Sequence, residues 1–258
     1  MSKVTLVRVW LEGGQARLQA ATRVEGDGDR VAPYAVRVIS QDGIRLTAAV
    51  VPTGASLLDG DAIGLEIEVG AGACLCLQEV GATVAYSGRG LGAHLDARLT
   101  LADGARLVWA AHPLVLGSGA QVGRDLDVSL GAHAVALLRE TIILGRSGEA
   151  TGGLLARTRV TGPAGPSLIE DLAIGDWHGL PGAIGHHRVV DSVLLLGARP
   201  APSAAPPDTL HLAQPGAIVR RLAAQAHQTA LDPVFSALSQ AAGRHRLPAG
   251  TGSGERVR

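Results

Sequence analysis

Rings are scarce in this 258-residue chain: three Trp, two Tyr and one Phe make up 2% of it. Its core must therefore be filled by Val, Leu, Ile and Ala, with the 35 glycines supplying turns. A surplus of charge is missing too. Lys+Arg and Asp+Glu stand at 23 each, so no long-range field draws in nucleic acid or an anionic membrane. Only two cysteines occur, Cys74 and Cys76, too close along one strand for an unstrained disulfide, which fits a reducing cytosol. The opening MSKVTLVRVWLEGG lacks a signal peptide's basic end, long apolar run and small-residue cleavage site, and no segment has the length of a membrane span. The expectation is a soluble, cytoplasmic protein.

What is present is apolar surface. Hydrophobic residues make up 47% and mean hydropathy is +0.24, so most of the chain should fold. A neutral, apolar surface also tends to associate, which points to a subunit working inside a complex. Residues 3–11 and 16–24 alternate apolar and polar side chains around Glu12-Gly13-Gly14, which predicts a hairpin. Strands at 34–39 and 44–51 follow around Gln41-Asp42-Gly43. From 63 to 145 a strand, a Gly-Ala turn and a strand recur, with turns at Gly72-Ala73, Gly104-Ala105 and Gly131-Ala132. Gly92-Ala93 and Gly119-Ala120 form a second series, and the spacing of about 27 residues suggests stacked layers, each covering the apolar face of the next. An ordinary sandwich with Gly-Ala hairpins is the alternative.

Strands at 154–161, 167–174 and 188–197 come next, then a Pro-rich loop over 199–207. In 216–228, Ile218, Leu222 and Ala226 share one helical face; a second helix starts at Asp232-Pro233 and ends at Gly243. The expected fold is mainly β: a layered or β-helical, solenoid-like stack of antiparallel and mixed strands with two short C-terminal helices. It forms one domain over residues 1–243, followed by a disordered tail at 244–258.

No GxSxG elbow, HExxH helix, Walker loop or Rossmann glycine fingerprint occurs, so the chain is not expected to be an enzyme. His186-His187 would point to opposite faces of a strand, which suits an exposed pair better than a chelate. Cys74 and Cys76 would share one face, where packing is favoured over a soft-metal site. The acids are more informative, because a carboxylate inside an apolar strand is costly unless paired or metal-bound. Glu140 interrupts VALLRETIIL, Glu170 sits in SLIEDLAI, Glu79 follows CLCLQ, and Asp61 lies in the turn Asp59-Gly60-Asp61. Spacing alone leaves each of them open as a strand-end or exposed-face acid.

The order of segments resembles the UreD (UreH) family. The matching positions are Gly60-Asp61, Val69 to Ala73, Gly81 to Tyr86, Gly104-Ala105-Arg106-Leu107-Val108-Trp109, Glu140 before Leu144-Gly145-Arg146, and Leu168 to Leu172. The resemblance spans roughly residues 34–197, with Val84 and Ser87 replacing a basic pair around Tyr86, and Ala62 replacing an acid. It implies a non-catalytic urease maturation scaffold that binds UreF, joins UreG through UreF and docks on apo-urease. Nickel would be a transported ion, with no permanently bound cofactor and no tight metal site identified. Asp61, Glu140 and Glu170 occupy positions that look like acids of the nickel route; Gly60, Tyr86, Gly145 and Arg146 are motif positions. A β-solenoid enzyme acting on polysaccharide and a metal-free binding module are the competing functions.

Overall fold

Alternation of apolar and polar side chains becomes two facing sheets in the computed structural model, which describes residues 2–24, 32–54, 56–175 and 184–244. The first hairpin pairs β1 (Ser2–Glu12) with β2 (Gln15–Val24) around Gly13 and Gly14, both at positive φ. A second pairs β3 (Tyr34–Asp42) with β4 (Arg45–Pro52).

From β4 the chain winds in coils. It runs through β5 (Ser56–Leu57) and β6 (Ala62–Val69), then β7 (Cys74–Glu79), β8 (Thr83–Ala85) and β9 (Ala93–Leu101). The next coil is β10 (Arg106–Ala110), β11 (Leu114–Leu116) and β12 (Gln121–Leu130); the last is β13 (Val135–Leu144) and β14 (Gly153–Gly162). Equivalent strands of successive coils pair in parallel: β4, β7, β10 and β13 on one sheet, and β6, β9, β12 and β14 on the other. Parallel stacking of this kind is the solenoid, and it sets aside the ordinary sandwich.

The Gly-Ala turns stack at the corners. Gly72 N–H donates to Asp103 O at 3.0 Å and Gly104 N–H to Ala132 O at 2.7 Å. The last turn is out of step with the sequence repeat. Arg106 pairs with Cys74 on one side and Val135 on the other, so His133-Ala134, not Gly131-Ala132, stands over Gly104-Ala105. His133 takes the left-handed φ of 57° that Gly104 takes at 65°, and Ala134 fills the buried corner.

Antiparallel strands close the far end. β15 (Gly165–Ile174) lies on β14, and β16 (Val189–Leu196) lies on β13. Beyond β16 come β18 (Gly216–Ala223) and, outside it, the short β17 (Leu210–His211).

The first expected C-terminal helix is therefore corrected to a strand, followed by a 3-10 turn at Ala226–Gln228. Every residue of β16 is buried, and its outer edge presents a row of N–H and C=O groups that β18 satisfies. That demand overrides the helical spacing of Ile218 and Leu222. The second helix forms as expected, as α1 (Asp232–Arg244), and seats Val234, Phe235 and Leu238 on Val135, Leu137, Val193, Leu195 and Val219. Residues 245–258 of the expected tail lie outside the described residues.

Candidate functional site

The apolar interior is split. One cluster holds Leu65, Leu77, Leu107, Leu126, Leu138, Val160 and Leu194; the other holds Leu116, Val122, Ile142, Leu144, Ala156 and Val190. On β13 the inward side chains run Leu138, Glu140, Ile142, so Glu140 lies between the clusters. By the same alternation β12 contributes Arg124 between Val122 and Leu126, β14 Thr158 between Ala156 and Val160, and β16 Ser192 between Val190 and Leu194. Leu168 and Leu172 flank Glu170 on β15 in the same way. Strand after strand has its one polar inward residue at the same level, forming a layer through the molecule.

Hydrogen bonds stitch this layer together across the two sheets. Arg124 Nη2 meets Glu140 Oε1 at 2.5 Å, and its Nη1 donates to Thr158 Oγ1 at 3.4 Å. Glu140 pairs in register with Ser192 and Ser192 with Arg220. Arg220 Nε donates to Ser192 Oγ at 2.9 Å, while its Nη1 and Nη2 hold both oxygens of Glu170 at 2.7 and 2.8 Å. This bidentate pair draws the Glu170 carboxyl below its ordinary value against the opposing effect of burial.

Glu79 extends the layer at the end of β7. It accepts from Trp109 Nε1 at 3.1 Å and from the His112 N–H at 2.9 Å, and among the described residues it has no ion-pair partner. Burial lifts its carboxyl from 4.5 to about 7; the two hydrogen bonds oppose the rise and the nearby Glu140 charge adds to it. A small cavity, about 70 Å³ for a water-sized sphere, opens beside Glu79, Arg124 and Glu140 and reaches Tyr34 and Thr83. Burial also pushes the Tyr34 hydroxyl well above its ordinary range, with a contribution from Glu79.

Of the three predicted route acids, Glu140 and Glu170 stand in this layer and Asp61 does not. The Asp61 carboxylate accepts the Leu58 N–H at 2.8 Å and lines an outer recess with Lys3, Tyr34 and Thr83. Tyr34 and Thr83 border both recess and cavity, so the recess that holds Asp61 adjoins the cavity.

The motif positions stand apart from the layer. Gly60 has φ 90° and donates to Gly92 O at 2.7 Å; Gly145 has φ 84°, and a Cβ there would strike Arg188 and the Ala150 carbonyl. The Arg146 guanidinium lies 5.3 Å from the centre of the Tyr86 ring and pairs with Glu149. Cys74 and Cys76 face away from the interior beside Leu75 and Leu77. The neighbouring Cys74 thiol, with the Arg45 charge, holds the Cys76 thiol below its ordinary value against the effect of burial. His186 and His187 are both exposed.

Sequence reading missed Arg124, Arg220, Thr158 and Ser192. Arg124 could have been found, since it holds the inward phase of Val122, Leu126 and Val128. Arg220 was hidden by the helical reading of its segment.

A family model described as UreD urease accessory protein matches residues 12–249, a longer stretch than the motifs had covered. The urease accessory protein UreD 1 of Streptomyces griseus is 42% identical over 198 residues, 76% of each chain. The urease accessory protein UreD of Frankia alni is 37% identical over 206 residues, 69% of this chain and 68% of its own. That of Streptomyces coelicolor is 32% identical over 209 residues, 79% of each.

Proposed function

The chain belongs to the UreD family of urease accessory proteins, and from that premise we propose that it is a non-catalytic scaffold for nickel delivery to apo-urease. In this role it binds UreF, reaches UreG through UreF, and docks on apo-urease in the cytoplasm. Nickel is cargo, passing along the interior polar layer.

The observation that carries this proposal is the layer itself, in which Glu79, Glu140 and Glu170 follow one another between two apolar clusters. A divalent ion prefers such oxygen donors to the surrounding leucines by several kcal/mol. Arg124 and Arg220 already occupy two of the three carboxylates, so an arriving ion competes with a guanidinium and is held weakly. Weak, serial sites release their ion, whereas a closed cage of carboxylates would keep it. Glu79, with no guanidinium and a carboxyl near 7, is the natural first acceptor within the layer, and a proton on it competes with the ion below that pH. Asp61, in the outer recess that shares Tyr34 and Thr83 with the cavity, is the outermost acid of the route.

The glycan-active alternative has less support, because Trp109 is 8% exposed and its N–H is spent on Glu79. The test is co-expression with UreF, UreG and the urease subunits, comparing Glu140→Gln and Glu170→Gln with the wild type. The expected result is an assembled complex with urease activation reduced several-fold at limiting nickel. Wild-type activation in both variants would overturn the conduit.

A further inference from the structure

We propose that His94, Asp96 and Asp125 form a binding site for one divalent transition-metal ion on the outer face of the β6–β9–β12 sheet, separate from the interior layer. Along β9 the outward side chains are His94, Asp96 and Arg98, and parallel pairing sets Asp96 beside Asp125 of β12 and His94 beside Gly123. One ligand atom from each of the three residues lies within 4.8 Å of the others. All three stand on paired strands of a stacked sheet, so they need no loop to close.

Two glycines make the room. A Cβ at Gly123 would come within 2.5 Å of His94 Cε1, so the imidazole occupies the space that a side chain would fill. On the other side Asp96 pairs with Gly64, leaving an open recess bordered by Gly64, Asp96 and Asp125.

The charges are otherwise poorly matched. Like charges directly opposite on neighbouring strands are destabilising, yet Asp96 faces Asp125 with Asp127 close by. Arg157 is 3.9 Å from Asp125, while Asp96 has no ion-pair partner among the described residues. Arg98, the next outward side chain along β9, pairs with Glu66 and offsets the Asp96 charge only in part. A bound cation would answer this repulsion. One imidazole with two carboxylates selects nickel, zinc or cobalt over magnesium or calcium, and three protein donors leave positions open for water and exchange.

The site is independent of the conduit, because Arg124 and Asp125 point to opposite faces of β12. The test uses the full chain carrying Glu79→Gln, Glu140→Gln and Glu170→Gln, which removes the three carboxylates of the interior layer, titrated with nickel chloride by calorimetry. One ion is expected to bind this background, with affinity lowered at least about tenfold by His94→Ala and again by Asp96→Asn. Cobalt should bind with a visible absorption band that His94→Ala alters. Equal nickel affinity with and without His94→Ala, or displacement by equimolar magnesium, would overturn the site. A failed conduit would appear instead as unchanged urease activation in the interior variants, with surface binding intact.

Discussion

Arg124 on β12 and Glu140 on β13 meet at 2.5 Å, one from each sheet, at the level where apolar packing gives way. Their side chains are 10% and 24% exposed. Breaking a fully buried pair of this kind costs about 3–5 kcal/mol, because the survivor is left charged and unpaired. Here the cost should be nearer about 2 kcal/mol, since the cavity admits water beside Glu140. Arg124→Met and Glu140→Met should each lower stability by that amount, and the double variant should recover most of it. Urea unfolding of the four proteins measures the coupling, and additive losses would show that the pair contributes nothing.

Glu79 makes stability depend on pH in the opposite sense to a salt-bridged acid. Its folded value, about 7, lies above the ordinary 4.5, so the native state favours the protonated form. The stabilisation is complete below the ordinary value and disappears as pH rises through 7. Glu79→Gln, which removes the charge but turns an N–H₂ group toward one of the two donors, should start below the wild type and gain about 1–3 kcal/mol on it between pH 4.5 and 7, with no further change above that range. Melting temperatures of both proteins across that range decide it; a pH-independent difference would contradict the buried titration.

Gly145 should not tolerate a side chain. Its φ of 84° disfavours any other residue, and a Cβ would press on Ala150 O and Arg188, whose guanidinium caps the carbonyl of Leu144 at 2.8 Å. Gly145→Ala is expected to destabilise by about 2 kcal/mol or more. The exposed Gly148, also at positive φ but with open space around it, should lose only about 1 kcal/mol on the same change. Thermal denaturation of the two variants separates backbone strain from steric conflict.

Asp191 is fully buried and accepts from Arg139, Thr141 and Thr229, with Thr229 Oγ1 at 2.6 Å. Arg139 pairs in addition with Asp232 at the start of α1, so this cluster anchors the helix to the sheet. Asp191→Asn offers an N–H₂ group where only donors converge and should cost about 3 kcal/mol. Hydrogen exchange should show α1 opening well before the coils; uniform loss of protection would argue that the anchor serves the whole molecule.

Much of the architecture was legible because short-range rules control it. Period-2 alternation marked most of the strands, and Gly-Ala pairs marked corners where a left-handed residue precedes a buried alanine. The rule failed where two patterns fitted equally: Ile218, Leu222 and Ala226 suit a helical face, but the unpaired edge of β16 claims 216–223 as a strand. It slipped again at His133, which takes a conformation more common for glycine and shifts the repeat by two residues.

The site was half visible. An acid breaking an apolar strand announced Glu140 and Glu170, but spacing carries no information about which arginine lies across the interior. Arg124 is 16 residues from Glu140 and Arg220 is 50 from Glu170, and only the stacking of coils brings each pair together.

The polar layer also has a mechanical consequence. Leucine packing is stiff and excludes water, whereas a stratum of hydrogen-bonded side chains beside a small cavity can take up water and let the halves shift slightly. Under hydrostatic pressure, hydration should begin along this stratum, where void volume can be eliminated, before either apolar half is disturbed. The molecule thus has a grain, like wood, and it yields first along the direction in which its strands are stacked.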